Sequence, residues 1–129
     1  MYRVILIAFA GLVGTLIRYW LSGWVARHFG QSFPSGTLAV NLLGCFIMGA
    51  LYFVLEERVL FDPVVRTAIL IGFLGALTTF SSYGLQTFTL LRDGELLLAS
   101  VYVGVSNIAG VLLVWCGYTA SRILMEGPR

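Results

Sequence analysis

The feature that most constrains this chain is a set of four long stretches almost without charge. Residues 29–55, 67–91 and 96–121 hold no charged side chain, and residues 4–26 hold only Arg18. Each exceeds the roughly 20 apolar residues needed to cross a hydrocarbon core about 30 Å thick. In a chain of 129 residues, four such spans leave short loops and no room for a soluble domain. Composition agrees, since 11% of the residues are charged, where a soluble domain carries about 25%. The expected fold is an all-α membrane protein, a single four-helix transmembrane domain over residues 1–129. Its helices are expected near 2–26, 35–56, 63–91 and 96–123.

Several function classes are excluded on the same grounds. All eight basic residues are arginine and the net charge is only +2, so there is no basic patch for nucleic acid. Cys45 and Cys116 fall within apolar runs, where a thiol behaves as a small hydrophobe; no disulfide framework is indicated. No intramembrane nucleophile, base and orienter can be assembled, which argues against an enzyme. The start, MYRVILIAFAG, has the outline of a signal peptide, with Arg3 ahead of an apolar run and Ala8 and Ala10 at cleavage-site spacing. Its apolar core is too short before that site and continues past it, so it reads as a retained first helix.

Orientation is weakly specified. With the N-terminus on one side, that side collects Arg3, Arg58, Arg66, Arg122 and Arg129, and the other collects Arg27, Arg92 and, depending on its depth, Arg18. The positive-inside rule gives little bias between them. A chain of this kind can insert either way, and one copy is too small to enclose a shielded path. An oligomer of oppositely oriented subunits is therefore expected.

Within the spans, a few polar residues stand out. Ala10 and Gly14 give helix 1 a small-xxx-small face for close approach by another helix. Arg18 admits two readings of equal weight: a charge facing protein or water, or a side chain that snorkels to the headgroups beside Tyr19 and Trp20. Asn41, inside helix 2, suits either a structural interhelical bond or a contact with a permeating solute. Pro63 suits the first turn of helix 3. That helix contains GFLGALTTFSSYGLQ at 72–86, where glycines, paired threonines and serines weaken helical bonding. A break there in mid-membrane needs protein or an aqueous cavity to satisfy the freed backbone groups; a continuous helix with close packing is the plainer alternative. Helix 4 carries a polar stripe of Tyr102 and Ser106 at i, i+4, with Asn107 beside them and Gly110 further on; it suits either the lining of a pathway or the joining of helices.

PSGTLAVNLLG in helix 2, GFLGALTTFSS in helix 3, Gly14-xxx-Arg18 and Asn107-xx-Gly110 together resemble the small fluoride channels of the Fluc or CrcB family. The likeness runs through all four helices in order. It implies an antiparallel, dual-topology homodimer in the bacterial inner membrane, with two fluoride pores and a break in helix 3. It further implies a structural sodium ion held at the dimer centre by the backbone carbonyls of Gly75 and Thr78 from each subunit. By motif position, Asn41, Phe80 and Tyr83 would line the fluoride pore, Tyr102 and Ser106 would continue it with hydroxyl donors, and Arg18 would raise the potential at the vestibule. The family usually shows phenylalanine at Tyr83, and Ser and Glu at Gly84 and Gln86. The implied activity is passive export of fluoride, which enters cells as neutral HF and is trapped on ionising. A small dual-topology, proton-coupled multidrug or guanidinium exporter is the alternative. Coupling of that kind needs a carboxylate within the membrane, whereas Glu56, Glu57, Asp62, Asp93, Glu95 and Glu126 all lie in or beside loops.

Overall fold

The computed structural model describes residues 1–30, 32–58 and 61–127, and Arg129 of the charge pattern lies outside them. All regular structure among the described residues is helical. Four helices are long and apolar enough to cross a membrane: helix 1 at Tyr2–Phe29, helix 2 at Ser35–Glu57, helix 3 at Pro63–Arg92 and helix 4 at Leu96–Glu126. The chain is thus an integral membrane protein, with the helices in the expected order.

The starts fall where expected and the ends run one to three residues further, and local chemistry sets several of these bounds. Helix 1 runs three residues further than expected because its last turn carries Arg27 and His28, cations that favour the negative helix end. His28 Nδ1 lies 2.8 Å from the Trp24 carbonyl and its ring packs 4.5 Å from the Trp24 ring, which ties that turn down. Helix 3 begins at Pro63, where Asp62 Oδ1 accepts the Val64 N–H at 2.8 Å; the side chain satisfies one donor that a helix start leaves orphaned. Helix 4 ends at Gly127, whose φ of 80° suits a residue without Cβ and whose N–H donates to Ile123 at 2.9 Å.

The helices are held together by backbone-to-backbone approach at glycine. A Cβ added at Gly14 would overlap the Phe73 carbonyl, and one at Gly72 would lie 2.7 Å from the Ile7 carbonyl and 3.1 Å from Ala10 Cβ. The Ala10 and Gly14 face of helix 1 is therefore where helix 3 docks. Gly36 meets Ser22 of helix 1 in the same way, while Gly49 and Gly117 bring helices 2 and 4 together against the Val114 and Phe46 carbonyls. In lipid, apolar side chains gain little by leaving the solvent, so contact area at small residues supplies much of the association energy.

Large side chains fill what remains. Val40, Phe53, Leu55, Leu74, Leu77 and Tyr102 are almost fully buried. The outward faces are apolar and exposed, helix 1 most of all, with only Gly14 and Val25 buried. Polar closure occurs at the helix ends: Arg66 pairs with Glu56 at 2.9 Å, Arg58 with Glu126 at 3.0 Å, and Tyr118 donates to Glu57 at 3.0 Å. At the opposite end Arg92 bonds Asp93 at 2.8 Å, which holds the Asp93 carboxyl below its ordinary range.

Candidate functional site

Helix 3 changes winding before it reaches the site. Ala68–Leu74 takes the wider π-type turn, Gly75–Leu77 returns to α, and the second half resumes at Phe80–Arg92. Between them Thr78 (φ −87°, ψ 156°) and Thr79 (φ −147°, ψ 110°) are extended. Four carbonyls, from Gly75 to Thr78, thereby lose the i+4 amides that a continuous helix would give them.

Where those amides go defines the site. Thr79 N–H donates to Asn41 Oδ1 at 2.8 Å, and Asn41 Nδ2 donates back to the Thr79 carbonyl at 3.3 Å. A side chain 38 residues away thus closes a two-bond ring on the interrupted backbone. Ser82 N–H turns to Thr79 Oγ1 at 3.3 Å, so Thr79 caps the second half of helix 3, and Thr79 Oγ1 also donates to Ser82 Oγ at 3.0 Å. Thr78 N–H and Oγ1 both return to the Leu74 carbonyl, at 3.1 and 3.0 Å. Helix 2 approaches close enough for this exchange because Gly44 faces the Thr78 methyl, which an added Cβ would overlap. Thr79→Val should remove the cap and lower stability by about 1 kcal/mol, read as a lower melting temperature in detergent, while Thr79→Ser retains it.

Beside the interruption lies an open cleft of about 290 Å³, with Asn41, Thr78, Phe80, Tyr83, Ser106 and Asn107 in its wall. An amide NH₂ has two donors; Asn41 commits one to Thr79 and leaves one free. The Ser106 hydroxyl has no partner among the described residues. Phe80 is 83% exposed and tilts 5.5 Å from the Tyr83 ring. The cleft therefore offers neutral donors and ring edges, and no carboxylate. Such a set suits a small anion that must give up water without being trapped by a full positive charge.

The sequence-predicted residues divide into two groups. Asn41, Phe80, Tyr83 and Ser106 meet at the cleft, with Thr78 on its wall. Tyr102 lies behind Tyr83, ring centroids 5.3 Å apart, fully buried against Phe33 and donating its hydroxyl to Gln86 Oε1 at 2.9 Å. Arg18 is half-buried on helix 1 and outside the cleft wall, its carbonyl accepting from Ser22 Oγ at 2.6 Å. Gly75 is exposed, with open space around it. Two participants are given no role at the site by the sequence: Thr79, and Asn107, which appears there only in the polar stripe of helix 4 and the Asn107-xx-Gly110 motif. Thr79 had a signal in its pairing with Thr78 just before Phe80, whereas nothing in the spacing of Asn107 indicates its bond to Tyr83.

The interruption also bears on a cation. Gly75 and Thr78 are the outer two of the four carbonyls freed by it, since the Thr79 and Ser82 amides are diverted to Asn41 and Thr79 Oγ1. Neither carbonyl accepts a hydrogen bond from another described residue. Among the described residues no cluster of His, Cys, Asp or Glu is placed to hold a metal. Neutral carbonyl oxygens fit a hard alkali ion and suit no softer metal.

Comparison with known proteins agrees along most of the chain. The chain is 48% identical over 124 residues to the fluoride-specific ion channel FluC of Citrifermentans bemidjiense, covering 96% of this chain and 100% of that protein. Against the FluC of Trichormus variabilis it is 45% identical over 124 residues, 95% of this chain and 90% of the relative. Against that of Stutzerimonas stutzeri it is 44% identical over 117 residues, 91% and 94% respectively. The family model described as CrcB-like protein, Camphor Resistance (CrcB), matches residues 5–118, a stretch that includes the cleft and the interruption and reaches into all four helices, and the chain belongs to that family.

Proposed function

We propose that this protein is a fluoride channel, working as an antiparallel homodimer in the bacterial inner membrane and letting fluoride leave the cell passively. The observation that carries the reading is the Asn41 amide: one donor ties helix 2 to the interruption in helix 3, and the other stays free on a carboxylate-free cleft. The relatives named fluoride-specific ion channel support it. Fluoride is small and strongly hydrated, so its path must supply replacement donors that bind weakly enough to release it. Asn41, Ser106 and the Tyr83 hydroxyl are those donors, and the Phe80 ring edge adds a weak positive contact.

A partner subunit completes the site in this reading. Ile71, Gly75 and Phe80 of helix 3 are all exposed, and an oppositely oriented copy packed against this helix would turn each cleft into a closed path. The Gly75 and Thr78 carbonyls of both copies would hold sodium on the two-fold axis, where the ion supplies a positive charge that ties the two interruptions together. Tyr102 supports Tyr83 from behind, and Arg18 raises the potential at the mouth of the path for anions. The proton-coupled exporter has no observation in its favour, because all six acids of the chain lie at or beyond helix ends.

Purified protein in liposomes is expected to release fluoride and retain chloride, with no dependence on a proton gradient. No fluoride release sinks the channel. The sodium ion has a separate check, since a ligand that binds only the assembled dimer stabilises it by mass action. Replacing sodium with choline should lower the melting temperature of the dimer, and a melting temperature indifferent to sodium would remove the ion from the proposal.

A further inference from the structure

Tyr83 stands where the family usually has phenylalanine, and its hydroxyl is not left loose. Asn107 Nδ2 donates to Tyr83 Oη at 3.0 Å and, with its second hydrogen, to the Val103 carbonyl at 2.8 Å one turn back on helix 4. Both hydrogens of the amide are used, so the side chain cannot turn without losing a bond. Conjugation with the ring keeps a phenol hydrogen near the ring plane, which allows two positions. An N–H arriving on one side of the oxygen leaves the hydrogen the other side. That hydrogen has no acceptor among the described residues. The ring is itself fixed between Phe80 and Tyr102, at 5.5 and 5.3 Å between centroids. Tyr83 and Asn107 both line the cleft together with Asn41 and Ser106.

We propose that Asn107 is a positioning residue that fixes the Tyr83 hydroxyl as a hydrogen-bond donor to the anion in the cleft. The proposal rests on the fluoride-channel reading and adds to it. At this point in the path, anion recognition comes from an oriented O–H in place of a bare ring edge. The donor sense of Asn107 is the essential part. A carboxylate in its place would take the Tyr83 hydrogen for itself and withdraw it from the cleft, whereas an amide pushes the hydrogen away from helix 4.

The test is a double-mutant cycle on fluoride efflux from liposomes, read as the fluoride concentration that gives half-maximal rate. Removing one hydrogen bond to a charged group should raise that concentration by about tenfold in Tyr83→Phe. Asn107→Leu should raise it by a similar factor, because it leaves the hydroxyl without orientation. In the Tyr83→Phe background, Asn107→Leu should change nothing further. A merely structural Asn107 would instead act equally in both backgrounds, and that result overturns the proposal. So does an unchanged half-maximal concentration in Tyr83→Phe, a variant that keeps the ring and needs no folded Asn107 variant for its interpretation. Wild-type protein that releases no fluoride overturns the channel and this proposal together. Wild-type protein that conducts, with both single variants unchanged, overturns this proposal alone.

Discussion

Replacing Asn41 by aspartate is expected to slow fluoride efflux by about a hundredfold, equivalent to about 2.7 kcal/mol in the barrier. Three effects act in the same direction. The carboxylate removes the N–H that bonds the Thr79 carbonyl and sets an acceptor against an acceptor. It removes the second N–H, the one left for the anion. It also places a negative charge on the wall of a cleft whose other polar groups are neutral. Efflux measured with a fluoride electrode gives the rate directly, and a variant that conducts like the wild type would take Asn41 out of the path. Asn41→Ala separates the two roles. It adds no charge but leaves the Thr79 N–H and carbonyl unpaired, at about 1–3 kcal/mol for each buried group, so its melting temperature should fall along with its flux.

The second large effect is expected in stability. Gly117→Ala places a methyl group on the Phe46 carbonyl and 2.9 Å from the Ala50 amide, and Gly49→Ala does the same to the Val114 carbonyl. The obstruction is backbone on the facing helix, which cannot rotate aside as a side chain would. Overpacking of this kind costs about 1–3 kcal/mol, and both sites load one interface, so the double variant should depart from additivity. Thermal melts in detergent, with size-exclusion profiles, measure it. Melting temperatures like that of the wild type would mean that helices 2 and 4 lie further apart than described.

Much of this architecture is legible in the sequence, and the rest is hidden for identifiable reasons. The four spans follow from charge-free length alone, and the Pro63 start follows from local chemistry. The 72–86 stretch marks itself as a weak helix by composition. Asn41 stands out as a polar side chain in an apolar helix. Its partner does not, because periodicity assigns residues to faces of one helix and is silent on which backbone amide another helix leaves free. For the same reason Tyr102 and Ser106 look equivalent at i, i+4, yet only Ser106 reaches the cleft wall; Tyr102 is turned into a cluster with Phe33 and donates to Gln86. The wider winding over Ala68–Leu74 has no signature in residue type. It shifts the phase of the helix just before Gly75, which a strict 3.6-residue count cannot follow.

The ring between Asn41 and Thr79 also bears on how the protein is made. A span with unpaired amides and carbonyls is costly in hydrocarbon, so helix 3 is ill suited to entering lipid by itself. Two of the hydrogen bonds it lacks, those of the Thr79 amide and carbonyl, come from Asn41 of helix 2, which precedes it in the chain and leaves the ribosome first. Synthesis in this order delivers the patch before the gap, and a rearranged chain with helix 2 moved after helix 3 would ask the membrane to wait for it.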